Sequence, residues 1–207
     1  MTASDFKDGT ILPLIEEFYT IQGEGYHTGK AAYFIRIGGC DIGCRWCDSK
    51  YSWRADYDKS VHTEEVLRKA ASHPAKAIVV TGGEPLNYDM DYLTDQAKKL
   101  GLKCFLETSG APGMSGDWDW VCVSPKKNSP PKKANYALAH ELKVIIYEEA
   151  DFDWAERCAE KVNRNCKLYL QPEWSRHKVN TQKIVEYILD NPKWELSLQT
   201  QKLINIP

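Results

Sequence analysis

Three cysteines fall within eight residues: Cys40, Cys44 and Cys47, in Gly39-Cys40-Asp41-Ile42-Gly43-Cys44-Arg45-Trp46-Cys47-Asp48. Three thiolates on one short loop can serve a single soft metal centre. A structural zinc site would want a fourth Cys or His, usually as a second close pair. The other cysteines, Cys104, Cys122, Cys158 and Cys166, are scattered, as are the five histidines. Three ligands without a fourth suit an iron–sulfur cluster with one iron left open to a small molecule. On spacing alone, zinc and redox thiols stay open as alternatives. Cys104 and Cys122 lie in apolar runs and read as small core residues, while Cys158 and Cys166 receive no role. A second motif, Gly82-Gly83-Glu84-Pro85, lets backbone approach a ligand closely and sets a carboxylate beside it. Standing alone, it would be an ordinary strand-to-helix turn.

The elements that must carry these motifs can be read from periodicity. Apolar, β-branched runs recur at Ala32 to Ile37, Ala77 to Thr81, Cys104 to Leu106, Trp120 to Val123, Leu142 to Ile146 and Lys167 to Leu170. Their lengths fit strands buried on both faces. Helical patterns lie between several of them, at Thr63 to Ala71, Asp91 to Leu100 and Phe152 to Val162, and a further helix is expected over Gln182 to Asn191 after Thr181. The connection Glu107 to Asp119 is rich in Gly, and Ser124-Pro125-Lys126-Lys127-Asn128-Ser129-Pro130-Pro131 is a poor helix start. The expectation is an α/β fold: a partial (β/α) barrel of about six parallel core strands and three core helices, with a C-terminal helix and strand, in one domain over residues 1–207. The polar motifs all follow strands, so they should share the carboxyl-end face where sites form in such sheets.

Composition narrows the class. The 207 residues are 43% hydrophobic and 27% charged, which supports a real core and argues against disorder. A net charge of −2 argues against a nucleic-acid or membrane-surface binder. No apolar run reaches the ~18 residues of a membrane span. The polar start, Met1 to Asp8, does not read as a signal peptide. A cytoplasmic, reducing setting is therefore expected, where clustered thiols mean metal or catalysis more often than disulfides.

Cys40-x3-Cys44-x2-Cys47, with Trp46 before the last cysteine and Gly82-Gly83-Glu84-Pro85 downstream, resembles the radical S-adenosylmethionine (SAM) enzymes. A narrower resemblance covers nearly the whole chain. Phe18-Tyr19-Thr20-Ile21-Gln22-Gly23-Glu24-Gly25, Phe34-Ile35-Arg36, Cys47-Asp48-Ser49, Glu107-Thr108-Ser109-Gly110, Ser124-Pro125-Lys126, Gln171-Pro172 and the tail Leu196-Ser197-Leu198-Gln199-Thr200-Gln201-Lys202 are similar to the 7-carboxy-7-deazaguanine synthases. That family contracts 6-carboxy-5,6,7,8-tetrahydropterin to 7-carboxy-7-deazaguanine with loss of ammonia, on the route to queuosine and other deazaguanines. The resemblance implies a carbon–nitrogen lyase that uses SAM catalytically, a [4Fe-4S] cluster on Cys40, Cys44 and Cys47, and Mg²⁺ on Ser49. No side chain beyond the cofactor-borne radical is implied to be catalytic. A homodimer and an electron donor such as flavodoxin or ferredoxin are also implied.

By the same resemblance, SAM would be held by Trp46, Asp48, Gly82, Gly83, Glu84, Gly110, Ser124, Pro125, Lys126, Gln171, Pro172, Glu173 and Trp174. The pterin would be held by Ile21, Gln22, Gly23, Glu24, Arg36, Thr108, Gln201 and the terminal Pro207. Arg36 suits a substrate carboxylate because its planar fork can bond in bidentate fashion. Gln201 stands where the family usually has His, and a Gln cannot titrate. Any acid–base role of that histidine is therefore not expected here. Rival readings are an activase that installs a glycyl radical on a partner protein, and a non-catalytic zinc module.

Overall fold

The computed structural model describes residues 8–207. Most of the polar start discussed above, residues 1–7, lies outside the described residues. Two short strands, β1 (Ile11–Leu12) and, much later, β4 (Val61–His62), pair antiparallel. The main sheet contains β2 (Leu14–Ile21), β3 (Ala31–Ile37), β5 (Ala77–Gly82), β6 (Lys103–Thr108), β7 (Trp120–Val123), β8 (Glu141–Ile146), β9 (Lys167–Pro172) and β10 (Trp194–Leu196), in the order β10-β9-β8-β7-β6-β5-β3-β2. Every neighbouring pair is parallel except β2 with β3. The six strands expected from the apolar runs are all present, and β2 and β10 extend the sheet at its two edges.

The helices are α1 (Thr63–Ala71), α2 (Asp91–Lys99), α3 (Lys133–Leu138), α4 (Ala150–Ala159), α5 (His177–Asp190) and α6 (Thr200–Leu203). Helices α3 and α5 depart from the sequence reading, and α6 is a further short helix in the tail. The β7–β8 connection holds the short helix α3, which begins only after the Pro130-Pro131 pair has ended the loop. Helix α5 starts at His177, ahead of Thr181, because the 3₁₀ turn Trp174–Arg176 runs straight into it. No side-chain cap bond forms at its start, so the capping signal at Thr181 is not used.

Alternation along the strands divides the core. On β3, Tyr33, Ile35 and Ile37 pack with Leu67, Ile78, Val80 and Leu93, which is the helix-covered face. Ala32 and Phe34 pack instead with Val79, Phe18 and Phe105 on the inner face of the curved sheet. Above this apolar plug the inner face turns polar. Glu141 and Lys143 on β8 and Gln171 on β9 are all buried there. Isolated buried charges are costly, so these must answer one another.

The open sheet is closed by hydrogen bonds across its two edges. The Thr200 N–H donates to the Gly23 carbonyl at 2.9 Å, and the Gly25 N–H donates to Ser197 Oγ at 2.9 Å. The segment following β2 is thus tied to the segment following β10.

Glu141 sits at the base of the polar zone, accepting from Trp120 Nε1 at 3.0 Å and from the Tyr26 N–H at 3.3 Å. Burial pushes its carboxyl up to about 7, outweighing the opposing pull of Lys143. The fold therefore favours the protonated acid. That contribution is full below the ordinary value of 4.5 and is lost as pH rises through about 7. Urea unfolding on either side of this interval is expected to show wild type losing stability towards high pH and Glu141→Gln losing less.

Candidate functional site

The loop after β3 carries the cysteines and folds back on the strand ends. The Gly39 and Cys40 N–H groups donate to the carbonyls of Ser52 and Trp53 at 2.9 and 3.0 Å. The loop also passes against Gly82 and Gly83 at the end of β5. The Gly83 N–H donates to the Ile37 carbonyl and the Glu84 N–H to the Gly39 carbonyl, each at 2.8 Å. A Cβ on Gly82 would strike the Ile37 backbone, and one on Gly83 would strike the Gly39 and Ser52 carbonyls. The glycine pair therefore lets the cysteine loop and the second motif share one wall.

That wall encloses a cavity of about 200 Å³ lined by all three motif cysteines with Trp46, Asp48, Ser49, Gly82, Gly83, Ser124, Lys126, Gln171, Pro172, Glu173 and Trp174. Thr108, expected on the substrate side, lines this cavity as well. Lys126 donates to the Ser124 carbonyl and hydroxyl at 2.6 and 2.7 Å and lies over the Trp46 ring at 5.7 Å. Burial draws its ammonium below the usual lysine range. Burial also raises the Cys44 thiol, and Lys126 opposes that rise. Trp53 donates its Nε1–H to Cys47 Sγ at 3.3 Å.

Glu84, Gly110 and Pro125, expected to hold SAM, do not line this cavity. The Glu84 carboxylate is 1% exposed and is occupied within the protein. It accepts from Thr108 Oγ1 at 2.6 Å, from the Leu86 N–H at 3.2 Å, from the Ser109 N–H at 2.8 Å, and from the Ser109 hydroxyl. Glu84 thereby fixes the Thr108-Ser109 turn. The Gly110 carbonyl accepts from Asn135 Nδ2 at 2.6 Å, which anchors the same turn to α3.

A second cavity, of about 430 Å³, adjoins the first. Ile21, Gln22, Gly23, Glu24, Arg36, Gln201 and Pro207 line it. Asp48, Ser49, Gly82, Glu24 and Glu107 belong to both cavities. Arg36 spends its Nε–H on Glu16 at 2.6 Å and lies beside the Tyr51 ring. The C-terminal tail is latched to the cysteine loop, since Asp48 Oδ2 receives Lys202 Nζ at 2.5 Å and Gln199 Nε2 at 3.0 Å.

Four contributors escaped the sequence reading. Lys143 bridges Glu24 and Glu107 at 2.8 and 2.9 Å. Gln199 donates to Glu24 and Asp48, and Lys202 completes the latch. A lysine inside the apolar run Leu142 to Ile146 was the available signal, because lysines are rarely buried without a partner. Glu107 was visible as the first residue of Glu107-Thr108-Ser109-Gly110, though only Thr108 and Gly110 were assigned.

The residues fit a four-iron cluster. Among the described residues no three His, Cys, Asp or Glu side chains are placed to hold a single ion. A cluster asks for something else, since each thiolate takes a different iron, and three thiols walling one cavity meet that demand.

Comparison with known proteins agrees with this geometry. Residues 34–121 match the model of the radical SAM superfamily. The chain is 57% identical over 201 residues to the 7-carboxy-7-deazaguanine synthase of Flavobacterium psychrophilum, covering 97% of this chain and 95% of the relative. It is 44% identical to the Synechocystis enzyme of the same name, covering 94% of this chain and 93% of that one. The crystal structure of QueE from Escherichia coli superposes with a TM-score of 0.82 at 30% identity, covering 96% of this chain and 99% of that one. On sequence, fold and site together, the chain belongs to the 7-carboxy-7-deazaguanine synthase family of radical SAM enzymes.

Proposed function

We propose that this chain, acting as one domain, contracts 6-carboxy-5,6,7,8-tetrahydropterin to 7-carboxy-7-deazaguanine with loss of ammonia. The observation that carries the reading is the pair of adjoining cavities, one walled by three thiols and the other by an arginine and the chain terminus, with a common wall between them. A reagent in the first would face a substrate in the second without crossing water. When bound, the cluster and SAM supply the one-electron and hydrogen-abstraction chemistry. The protein's part is to hold and orient.

In this reading Cys40, Cys44 and Cys47 hold the cluster. Trp46, Asp48, the Gly82-Gly83 backbone, Ser124, Lys126 and Gln171 to Trp174 hold SAM. Arg36 takes the pterin carboxylate with the guanidinium nitrogens that Glu16 leaves free. The backbone of Ile21 to Gly23 lies along the heterocycle and Gln201 closes one end, while Thr108 reaches it only from the first cavity. Ser49, at the junction of the cavities, offers a hydroxyl to Mg²⁺. That ion is commonly held by one protein group together with substrate and water. The resemblance also supports a homodimer and a flavodoxin- or ferredoxin-class electron donor. Among the described residues no helix is long and apolar enough to cross a membrane.

The direct test is anaerobic incubation with SAM, a low-potential reductant, Mg²⁺ and the carboxy-tetrahydropterin, followed by mass analysis for loss of ammonia. No conversion, with a SAM-dependent radical appearing on a partner protein instead, would favour the activase reading. Removing Pro207 tests the tail. Pro207 lines the second cavity and not the first. The truncated enzyme is expected to show a KM for the pterin raised about tenfold or more, the worth of one charge-assisted hydrogen bond. SAM cleavage without pterin should stay near wild type. Equal loss of both activities would make the tail a structural element.

A further inference from the structure

Two carboxylates, Glu24 and Glu107, face each other across Lys143 at the wall between the cavities. They differ in how much accepting capacity they have left. An ionised carboxylate has about four acceptor positions. Glu24 has filled all of its own. Its Oε1 receives Gln199 Nε2 at 3.0 Å and Gln201 Nε2 at 2.9 Å. Its Oε2 receives Lys143 Nζ at 2.8 Å and Gln171 Nε2 at 3.1 Å. These donors come from β8, β9 and the tail, so Glu24 ties together the two edges of the open sheet.

Glu107 is less fully used: two nitrogen donors reach it, with a weak third contact from the Cys122 thiol. Its Oε2 receives Lys143 at 2.9 Å, and its Oε1 receives Gln22 Nε2 at 3.3 Å. Gln22 is itself oriented, since its Oε1 accepts the Glu24 N–H at 3.2 Å. Beneath lies Cys122, a deeply buried thiol whose burial and carboxylate neighbours keep it neutral and therefore at most a weak donor. The ammonium of Lys143 is shared between two carboxylates. Glu24 is further neutralised by three amide donors, so the residual negative charge and the free lone pairs belong to Glu107.

We infer that Glu107 is a specificity-determining residue that accepts N–H donors from the substrate's amino-pyrimidine edge, and that Glu24 serves to hold the wall rather than to meet the substrate. The inference rests on the pterin reading above. It supplies the second pole of the cavity: Arg36 on β3 addresses a carboxylate, and Glu107 on β6 addresses a ring edge rich in N–H groups. A ligand carrying both features is oriented uniquely, whereas a carboxylated ring without donors leaves Glu107 unsatisfied. Sites built to hydrogen-bond a group reject analogues lacking it far more strongly than apolar pockets reject a missing methylene.

The test pairs protein and ligand changes. Calorimetric binding, with SAM present and reductant absent, is measured for the carboxy-tetrahydropterin and its 2-deamino analogue on wild type, Glu107→Gln, Glu107→Asp and Glu24→Gln. Wild type is expected to bind the analogue about tenfold or more weakly. Glu107→Gln should lose a similar factor for the pterin and scarcely distinguish the two ligands. Glu107→Asp, which keeps the charge, should fall between. Glu24→Gln should lower the melting temperature and weaken both ligands alike. If Glu107→Gln discriminates between the ligands as strongly as wild type does, or if Glu24→Gln alone abolishes discrimination at an unchanged melting temperature, the assignment is overturned. Failure of wild type to convert the pterin would sink the functional reading separately, since the binding cycle does not depend on turnover.

Discussion

Cys44→Ala is expected to give a folded but colourless protein without activity. The side chain projects from a loop into the first cavity and takes no part in the apolar clusters. The Cys47 N–H donates to the Cys44 backbone carbonyl at 3.1 Å, and the substitution leaves that bond in place. The stability change should lie within about 0.5 kcal/mol, as for substitutions away from core and network. The chemical loss is total by contrast, because two thiolates cannot hold what three hold. Anaerobic reconstitution followed by visible absorption and iron counting measures the first effect, and melting temperature the second. A brown wild type and a colourless variant with similar melting temperatures is the expected pair. A colourless wild type carrying stoichiometric zinc would overturn the cluster reading.

Lys143→Met is expected to be the most destabilising single change in the site. Lys143 has a side chain 5% exposed and forms ion pairs with Glu24 and Glu107, whose side chains are 18% and 21% exposed. Burial works against the ammonium, but the carboxylates of Glu107 and Glu24 outweigh it and hold it well above the ordinary lysine range. Methionine matches the length of the chain but leaves buried carboxylates facing one another. Breaking a buried pair in this way costs about 3–5 kcal/mol. For a chain of this size that corresponds to a fall of about 6–20 °C in melting temperature. Burial raises the Glu24 carboxyl, but Lys143 and its amide donors prevail and hold it down, at about 2. In wild type its contribution is present above 4.5 and is lost as pH falls towards about 2. The variant should therefore lose stability at neutral pH and show a shallower acid limb in the same interval. Lys143→Arg should recover part of the loss. A variant as stable as wild type would mean that the carboxylates relax into solvent.

The fold was legible because its signals are local. Strands Ala31–Ile37, Ala77–Gly82 and Glu141–Ile146 announce themselves as apolar runs, and α1 and α2 by their periodicity and ends. The edge strands were less legible. Leu14–Ile21 is half polar because it covers the rim, and Trp194–Leu196 is too short to show a period. Helix α3 hid behind a proline pair whose local effect is to forbid helix, and the start of α5 hid in a 3₁₀ turn.

The sequence by itself determined the donor set of the site, since thiol chemistry follows from residue type and loop spacing, and both are written in the chain. It also determined the family, through motifs that follow successive strands. Only the tertiary structure decided how carboxylates divide their labour. Glu24, Glu84 and Glu107 look alike as residues beside motifs. Their roles depend on how many donors arrive from elsewhere, and those donors come from positions as far away as Gln199 and Gln201. Hydrogen-bond saturation is a property of a point in space, where strands distant in sequence converge. No spacing rule along the chain can count it.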